Sequence, residues 1–166
     1  MKSAFISIIG RPSSGKSTLL NALCGYKVSI VAPTPQTTLN RIRGIVNSPY
    51  GQLVFIDTPG FHTSEKTFNH HLKDLVMSSL DEVDLLLYVL DVSRPPGAEE
   101  NALLDLTTAH GNRVIAALNK IDLDSKGADE RRFYLSGKID SERIFPVSAL
   151  DGSGLDELKA GLFSFA

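Results

Sequence analysis

Two short runs of residues have the types and spacing needed to hold a nucleotide. In Gly10-Arg11-Pro12-Ser13-Ser14-Gly15-Lys16-Ser17, followed by Thr18, four residues separate two glycines and a Lys-Ser pair stands directly behind the second. This is the spacing of a phosphate-binding loop. The glycines let the backbone turn tightly so that its N–H groups converge on the β-phosphate, and the helix behind adds the partial positive charge of its N-terminus. Lys16 is then placed to reach β- and γ-phosphate oxygens, and the Ser17 hydroxyl to ligate Mg²⁺. The second run is Asn119-Lys120-Ile121-Asp122. The Asp122 carboxylate can accept from guanine N1–H and from the 2-amino group. Adenine has a lone pair at N1 and no 2-amino group, which leaves that carboxylate desolvated and unpaired. A site built on such bonds can reject the wrong base by ~10⁴-fold or more. Lys120 would lie along the base, and Asn119 would tie its loop to the phosphate loop. Ser148-Ala149-Leu150 would support the guanine through a backbone N–H. The two runs together imply GTP or GDP, with Mg²⁺.

Two weaker runs complete such a site. Asp57-Thr58-Pro59-Gly60 ends an apolar stretch; there a carboxylate can hold Mg²⁺ through its water shell, and the Gly60 N–H can bond the γ-phosphate. Thr37 and Thr38 lie in the polar, proline-punctuated segment after Ala32-Pro33-Thr34-Pro35-Gln36. A loop there can fold over the triphosphate when a threonine completes the metal shell, and open on hydrolysis. His62 is near enough to the γ-phosphate end to be weighed as a general base, but a structural role is preferred. The adjacent His70 and His71 do not have metal-ligand spacing. Glu99-Glu100 and Glu130-Arg131-Arg132 read as solvated helix faces.

These residues need a scaffold that brings loop ends together. Short apolar runs, Ala4–Ile9, Leu53–Ile56, Leu85–Leu90, Val114–Leu118 and Ile144–Val147, alternate with helix-like segments, the pattern of a parallel sheet covered on both faces. A more polar strand, Arg41–Val46, joins the next through the turn-rich Asn47–Gly51, too short for a crossover, so these two should be antiparallel. Helices are expected over Lys16–Leu23 with a stop at Gly25, Asn69–Leu80, Ala98–Ala109 and Ala128–Leu135. A last helix should open with a capping box at Ser153-Gly154-Leu155-Asp156 and bury Leu155, Leu158 and Leu162. The fold class implied is a three-layer α/β P-loop NTPase: a mostly parallel six-stranded sheet, one antiparallel strand, helices on both faces, and a single domain over 1–166.

The bulk composition sets outer limits. With 166 residues, 42% hydrophobic and 22% charged, the chain can bury one proper core. Seventeen Lys plus Arg against nineteen Asp plus Glu leave a net charge of −2, no footprint for gripping a nucleic-acid backbone. Cys24 is the only cysteine, which excludes an internal disulfide; it reads as a small buried residue near the end of the first helix. No apolar run reaches the ~18–20 residues needed to span a membrane. The location expected is the cytoplasm, with a peripheral position at the inner membrane allowed.

The run Gly10 to Thr18, then Leu19-Leu-Asn-Ala-Leu23, Lys27-Val-Ser-Ile-Val31, Pro35-Gln-Thr-Thr38 and Arg41-Ile-Arg-Gly44, resembles the G domain of the Era family of bacterial GTPases. The likeness runs from Ala4 to about Leu158, and the stretch Lys27–Gly44 is the part that singles out Era. It implies a switch that hydrolyses GTP, with Lys16, Thr38 and Gly60 at the reacting phosphate and Ser17, Thr38 and Asp57 around Mg²⁺. It implies a part in small-subunit assembly, with small-subunit rRNA bound by a C-terminal KH domain that is not read in this sequence. Phe61 stands where Ras-like GTPases carry a water-orienting glutamine, and a phenyl ring cannot hold a water, so slow intrinsic turnover is expected. Ser13 departs from the Asn that some relatives use to hold an activating K⁺, so potassium dependence does not carry over. Two rival readings are a GTP/GDP-sensing module without meaningful turnover, and a related tRNA-modifying or tandem-domain ribosomal GTPase.

Overall fold

The computed structural model describes residues 2–11, 13–25, 42–49, 51–56, 74, 77–95, 101, 105, 109–110, 113–137 and 139–166. Six strands form one sheet: β1 (Lys2–Gly10), β2 (Ile42–Ser48), β3 (Gly51–Ile56), β4 (Leu85–Asp91), β5 (Val114–Asn119) and β6 (Ile144–Pro146). Their order across the sheet is β2-β3-β1-β4-β5-β6, and only β2 runs antiparallel to its neighbour. Three helices are described end to end: α1 (Lys16–Cys24), α2 (Ser125–Ser136) and α3 (Leu155–Phe165). Residues 74, 77–80, 101, 105 and 109–110 are also helical, in the two remaining segments expected to be helices, the second running one residue past Ala109.

The continuous apolar strands follow from burial on both faces. Leu85, Leu87 and Val89 of β4, with Ile115 and Ala117 of β5, point into the core beneath α1 and α3, where Leu19, Leu20, Leu23, Leu158 and Leu162 meet them. The alternate residues Leu86, Tyr88 and Leu90, with Val114, Ala116 and Leu118, point into the opposite core beneath α2, against Ala128 and Leu135. A strand packed on both sides has no solvent face to keep polar, so alternation disappears from its sequence. Cys24 is half-buried at the end of α1, packed against the first of these cores, rather than fully buried.

Three local expectations change. The hairpin between β2 and β3 is tighter than expected, because Asn47 and Ser48 belong to β2 and pair with Gln52 and Gly51. Gln52 Nε2 also donates to Asn47 Oδ1 at 2.9 Å across the ladder. Helix α2 begins three residues earlier than Ala128, because Asp124 caps it by accepting from the Gly127 N–H at 2.8 Å. Its first turn is polar and solvated, so hydrophobic periodicity could not reveal it.

The capping box at Ser153 does not form. The N-cap of α3 is Gly154, in the left-handed region at φ 76, with no side-chain cap. Ser153 instead faces backward: its N–H donates to Asp151 Oδ1 at 2.8 Å and its carbonyl accepts from the Ser148 N–H at 2.8 Å. Leu158 and Leu162 are fully buried, while Leu155 is only partly so. A Cβ on Gly154 would run into the carbonyl oxygen of Pro146, so the helix can enter this close to β6 only on a glycine. Gly154→Ala should therefore cost about 2 kcal/mol, combining left-handed strain with a backbone clash. Thermal melting should show a loss of about 4–8 °C, whereas removing the Ser153 hydroxyl should cost far less.

Candidate nucleotide-binding site

Every described residue of the site lies at the C-terminal ends of parallel strands, around the point where the chain, having placed β2 and β3 on one side of β1, continues with β4 on the other. That is where open α/β sheets take their ligands. The phosphate loop leaves β1 at Gly10 and enters α1 at Lys16. Gly10 sits against Val89 of β4, and a Cβ there would press on the Val89 carbonyl and the Ser14 hydroxyl. Helix α1 starts with no side-chain cap and no acidic residue in its first turn, so the partial positive charge of its N-terminus favours an anion. Ser17 and Thr18 are exposed there. Lys16 is buried, and its ammonium donates to the carbonyls of Gly10 at 2.7 Å and Arg11 at 3.0 Å, so it lies across the loop it was expected to serve.

The loop carrying Asn119-Lys120-Ile121-Asp122 is fastened to the Gly10–Ser17 loop by two neighbouring side chains. Asn119, buried at the end of β5, donates from Nδ2 to the Ser14 carbonyl at 2.9 Å and accepts at Oδ1 from the Ala149 N–H at 3.1 Å. Gly15, at φ 98, makes this possible: a Cβ on it would collide with Asn119 Nδ2. The second glycine of the loop thus admits the asparagine as well as turning the chain. Lys120, itself left-handed at φ 70, donates from Nζ to the Ser13 carbonyl at 2.7 Å and to Asp91 Oδ2 at 2.8 Å.

Asp122 is exposed, and its Oδ1 accepts from the Ser148 hydroxyl at 2.8 Å. That hydroxyl in turn accepts from the Asp151 N–H at 3.2 Å. The Ser148 hydroxyl therefore holds the carboxylate without burying it. Of the run Ser148-Ala149-Leu150, expected to support the base through a backbone N–H, the Ser148 and Ala149 N–H groups are both engaged within the protein, by the Ser153 carbonyl and by Asn119. Of the other residues singled out from the sequence, Pro12, Thr37, Thr38, Asp57, Thr58, Pro59, Gly60, Phe61, His62, His70, His71, Glu99 and Glu100 lie outside the described residues. Ser17 is thus the one expected metal ligand within them. Its exposed hydroxyl beside the uncapped helix start fits a cation shared with phosphate oxygens.

Two residues here were not recognised from the sequence. Asp91 follows the apolar run Leu85–Leu90 and carried no expected role, yet it is a buried carboxylate that pairs with Lys120 at 2.8 Å and accepts from the Ser93 N–H at 2.9 Å and the Ser93 hydroxyl at 2.6 Å. The available signal was a lone carboxylate closing an otherwise apolar strand. Arg131 is not on a solvated face: it is buried, and its guanidinium donates to the Asp91 carbonyl at 3.1 Å and to the Arg94 carbonyl. Burial pushes the Asp91 carboxyl up, but the Lys120 ammonium and the two Ser93 donors outweigh it and hold the group below the usual aspartate value. A depressed carboxyl stabilises the fold above its unfolded-state range and loses that contribution as acid protonates it. Asp91→Asn should then cost about 2 kcal/mol at neutral pH, less than a fully enclosed pair because Lys120 is partly exposed. Urea unfolding at pH 7 should show this gap, and it should close as the pH falls through and below the ordinary aspartate range.

Residues 5–120 match the family model described as 50S ribosome-binding GTPase. GTPase Era of Borrelia hermsii is 44% identical over 165 residues, covering 99% of this chain and 57% of that protein. GTPase Era of Treponema denticola is 48% identical over 161 residues, covering 95% of this chain and 55% of that protein. A crystal structure of Era in complex with MgGDPNP and nucleotides 1506–1542 of 16S ribosomal RNA superposes with a TM-score of 0.72 at 32% identity, over 99% of this chain and 57% of that one. The chain thus spans just over half the length of the relatives it matches. Its phosphate loop and Asn-Lys-x-Asp loop, joined through Asn119, sit on the same P-loop fold. The resemblance to Era is borne out, and the chain belongs to the family of 50S ribosome-binding GTPases.

Proposed function

We propose that this chain, as one G domain over 1–166, binds GTP and GDP with Mg²⁺ and hydrolyses GTP to GDP and phosphate as a molecular switch. The observation that supports the reading is the bridge from Asn119 to Ser14, which ties the loop proposed to choose guanine to the loop proposed to cradle phosphate. In this reading the phosphate-loop N–H groups and the start of α1 take the β-phosphate, and Lys16 exchanges its carbonyl partners for β- and γ-oxygens. Asp122, oriented by the Ser148 hydroxyl, accepts from N1–H and the 2-amino group of guanine. Leu150, 80% exposed two residues beyond Ser148, offers an apolar surface to the base. Mg²⁺ would supply charge neutralisation between β- and γ-phosphates, held by Ser17 with Thr38 and Asp57 as the further proposed ligands. Thr38 and Gly60 would release the loops that carry them once the γ-phosphate leaves.

The direct test is phosphate release over hours at saturating nucleotide. GTP with Mg²⁺ should be turned over slowly and ATP left intact, while binding of GTP without any release would favour a sensing module over a hydrolase. Asp122→Asn should weaken GTP binding by about 2–4 kcal/mol, because a charged acceptor is replaced and an amide N–H₂ can face the guanine donors. Xanthosine triphosphate, which carries a carbonyl at that position, should gain affinity for the same variant. Unchanged GTP affinity with no gain for xanthosine would remove Asp122 from the base site.

We further propose that the biological setting is assembly of the small ribosomal subunit in the cytoplasm, supported by the similarity to Era and by the Era structure that contains 16S RNA. Among the described residues no helix is long and apolar enough to cross a membrane. At a net charge of −2, these 166 residues should bind that RNA only weakly and without sequence preference. Titration of the RNA 3′ end against a scrambled control should give equal affinities that fall steeply with salt. Tight binding to the native RNA alone would assign RNA reading to this domain.

A further inference from the structure

The guanine loop contains a residue in an unfavourable backbone conformation, and the side chain that holds it there comes from another strand. Lys120 lies in the left-handed region at φ 70, which a residue with a long side chain adopts only when its surroundings over-determine it. The position matters because Lys120 separates Asn119, which reaches the phosphate loop, from Asp122, the proposed reader of the base. The backbone angle at Lys120 therefore helps set the direction of one relative to the other.

Two contacts hold the far end of Lys120: the Ser13 carbonyl at 2.7 Å and Asp91 Oδ2 at 2.8 Å. Asp91 is itself held. Ser93 gives its N–H and its hydroxyl to Oδ1, at 2.9 and 2.6 Å, which leaves Oδ2 turned toward Lys120, with Arg94 Nε 3.6 Å away. The backbone at this point is secured to the guanine strand as well, since Asp91 pairs in register with Asn119 and the Val92 N–H donates to the Asn119 carbonyl at 3.1 Å. Arg131 of α2 donates to the Asp91 carbonyl from behind.

We infer that Asp91 is a positioning residue for guanine-nucleotide retention: it pins the Lys120 ammonium across the seam between the phosphate and guanine loops and so holds Asn119 and Asp122 in their binding arrangement. The inference rests on the nucleotide-binding reading above. Asp91 touches neither base nor phosphate in it and acts through Lys120. Its loss should therefore shorten the lifetime of the bound nucleotide while leaving the choice of base with Asp122.

The test follows dissociation of a fluorescent GDP analogue from the chain and from Asp91→Asn, Lys120→Met and the double variant, each at a temperature where it is folded by circular dichroism. Asp91→Asn should release the analogue at least about tenfold faster, with the ratio of GDP to xanthosine diphosphate affinity unchanged within twofold. In the Lys120→Met background the same substitution should add less than about twofold, because the pinned group is already gone. Asp91→Glu, which keeps the charge, should recover part of the retention. Dissociation at the wild-type rate from Asp91→Asn, or effects of the two substitutions that simply multiply, would overturn the inference. If Asp91→Asn fails to fold, the exposed Ser93→Ala decides: release two- to fivefold faster supports the pinning, and an unchanged rate overturns it. Failure of the wild-type chain to bind any guanine nucleotide would instead refute the underlying reading, a result separate from all of these.

Discussion

The Asn119 side chain is the interaction on which the rest of this site depends. One amide, buried at the end of β5, donates to the phosphate loop and accepts from the loop after β6. Three loops that leave different strands are thereby referred to one planar group whose donor and acceptor are both used. A buried amide with one partner missing would carry the cost of an unsatisfied polar group, so the arrangement resists partial loosening. The demand spreads outward. Gly15 must lack a side chain for the amide to pass, and β5 must end level with β1 for the bond to close.

That levelness is a property of the sheet. Parallel strands deliver their C-terminal ends to one edge, and the register places Gly10 beside Val89 and Asp91 beside Asn119. The two cores fix the strands by burying alternate side chains above and below. Position at the edge is therefore set by apolar packing well away from it, and the polar groups there need only short reaches. The helix after the phosphate loop is packed by Leu19, Leu20 and Leu23 so that its uncapped end faces the same edge. Electrostatics then completes what packing began: an N-terminal helix charge, the Lys16 ammonium and the paired Lys120 all surround the place proposed for an anionic ligand.

A second layer supports the first. Asp91, Ser93 and Arg131 make no contact with a nucleotide in the proposed mode, yet they hold Lys120 and the strand end beside which the Asn119–Asp122 loop departs. The Asp91 carboxylate is buried among donors that outweigh the penalty of burial, which is why it can stay charged and hold a cation across a seam. A similar economy operates at Ser148, whose hydroxyl steadies Asp122 while receiving the Asp151 N–H.

How much of this was legible in the sequence differs by the range of the interaction involved. The phosphate loop, the Asn-Lys-x-Asp run, the six strands and the antiparallel β2–β3 pair were all readable, because each depends on local spacing, on glycine at a turn, or on an apolar run of strand length. The sequence by itself also determined the family resemblance, since loops that bind a rigid ligand constrain residue type position by position. What it could not show were contacts between residues far apart in the chain. Ser153 looks like a helix cap until the Pro146 carbonyl closes on Gly154. Arg131 looks like a solvated charge until two carbonyls of the β4 end meet it, and Asp91 looks like punctuation until Lys120, twenty-nine residues on, finds it. Local pattern carries hydrophobic burial and turn chemistry. The partner of a buried charge is chosen by register and packing, and those exist only once the tertiary structure has formed.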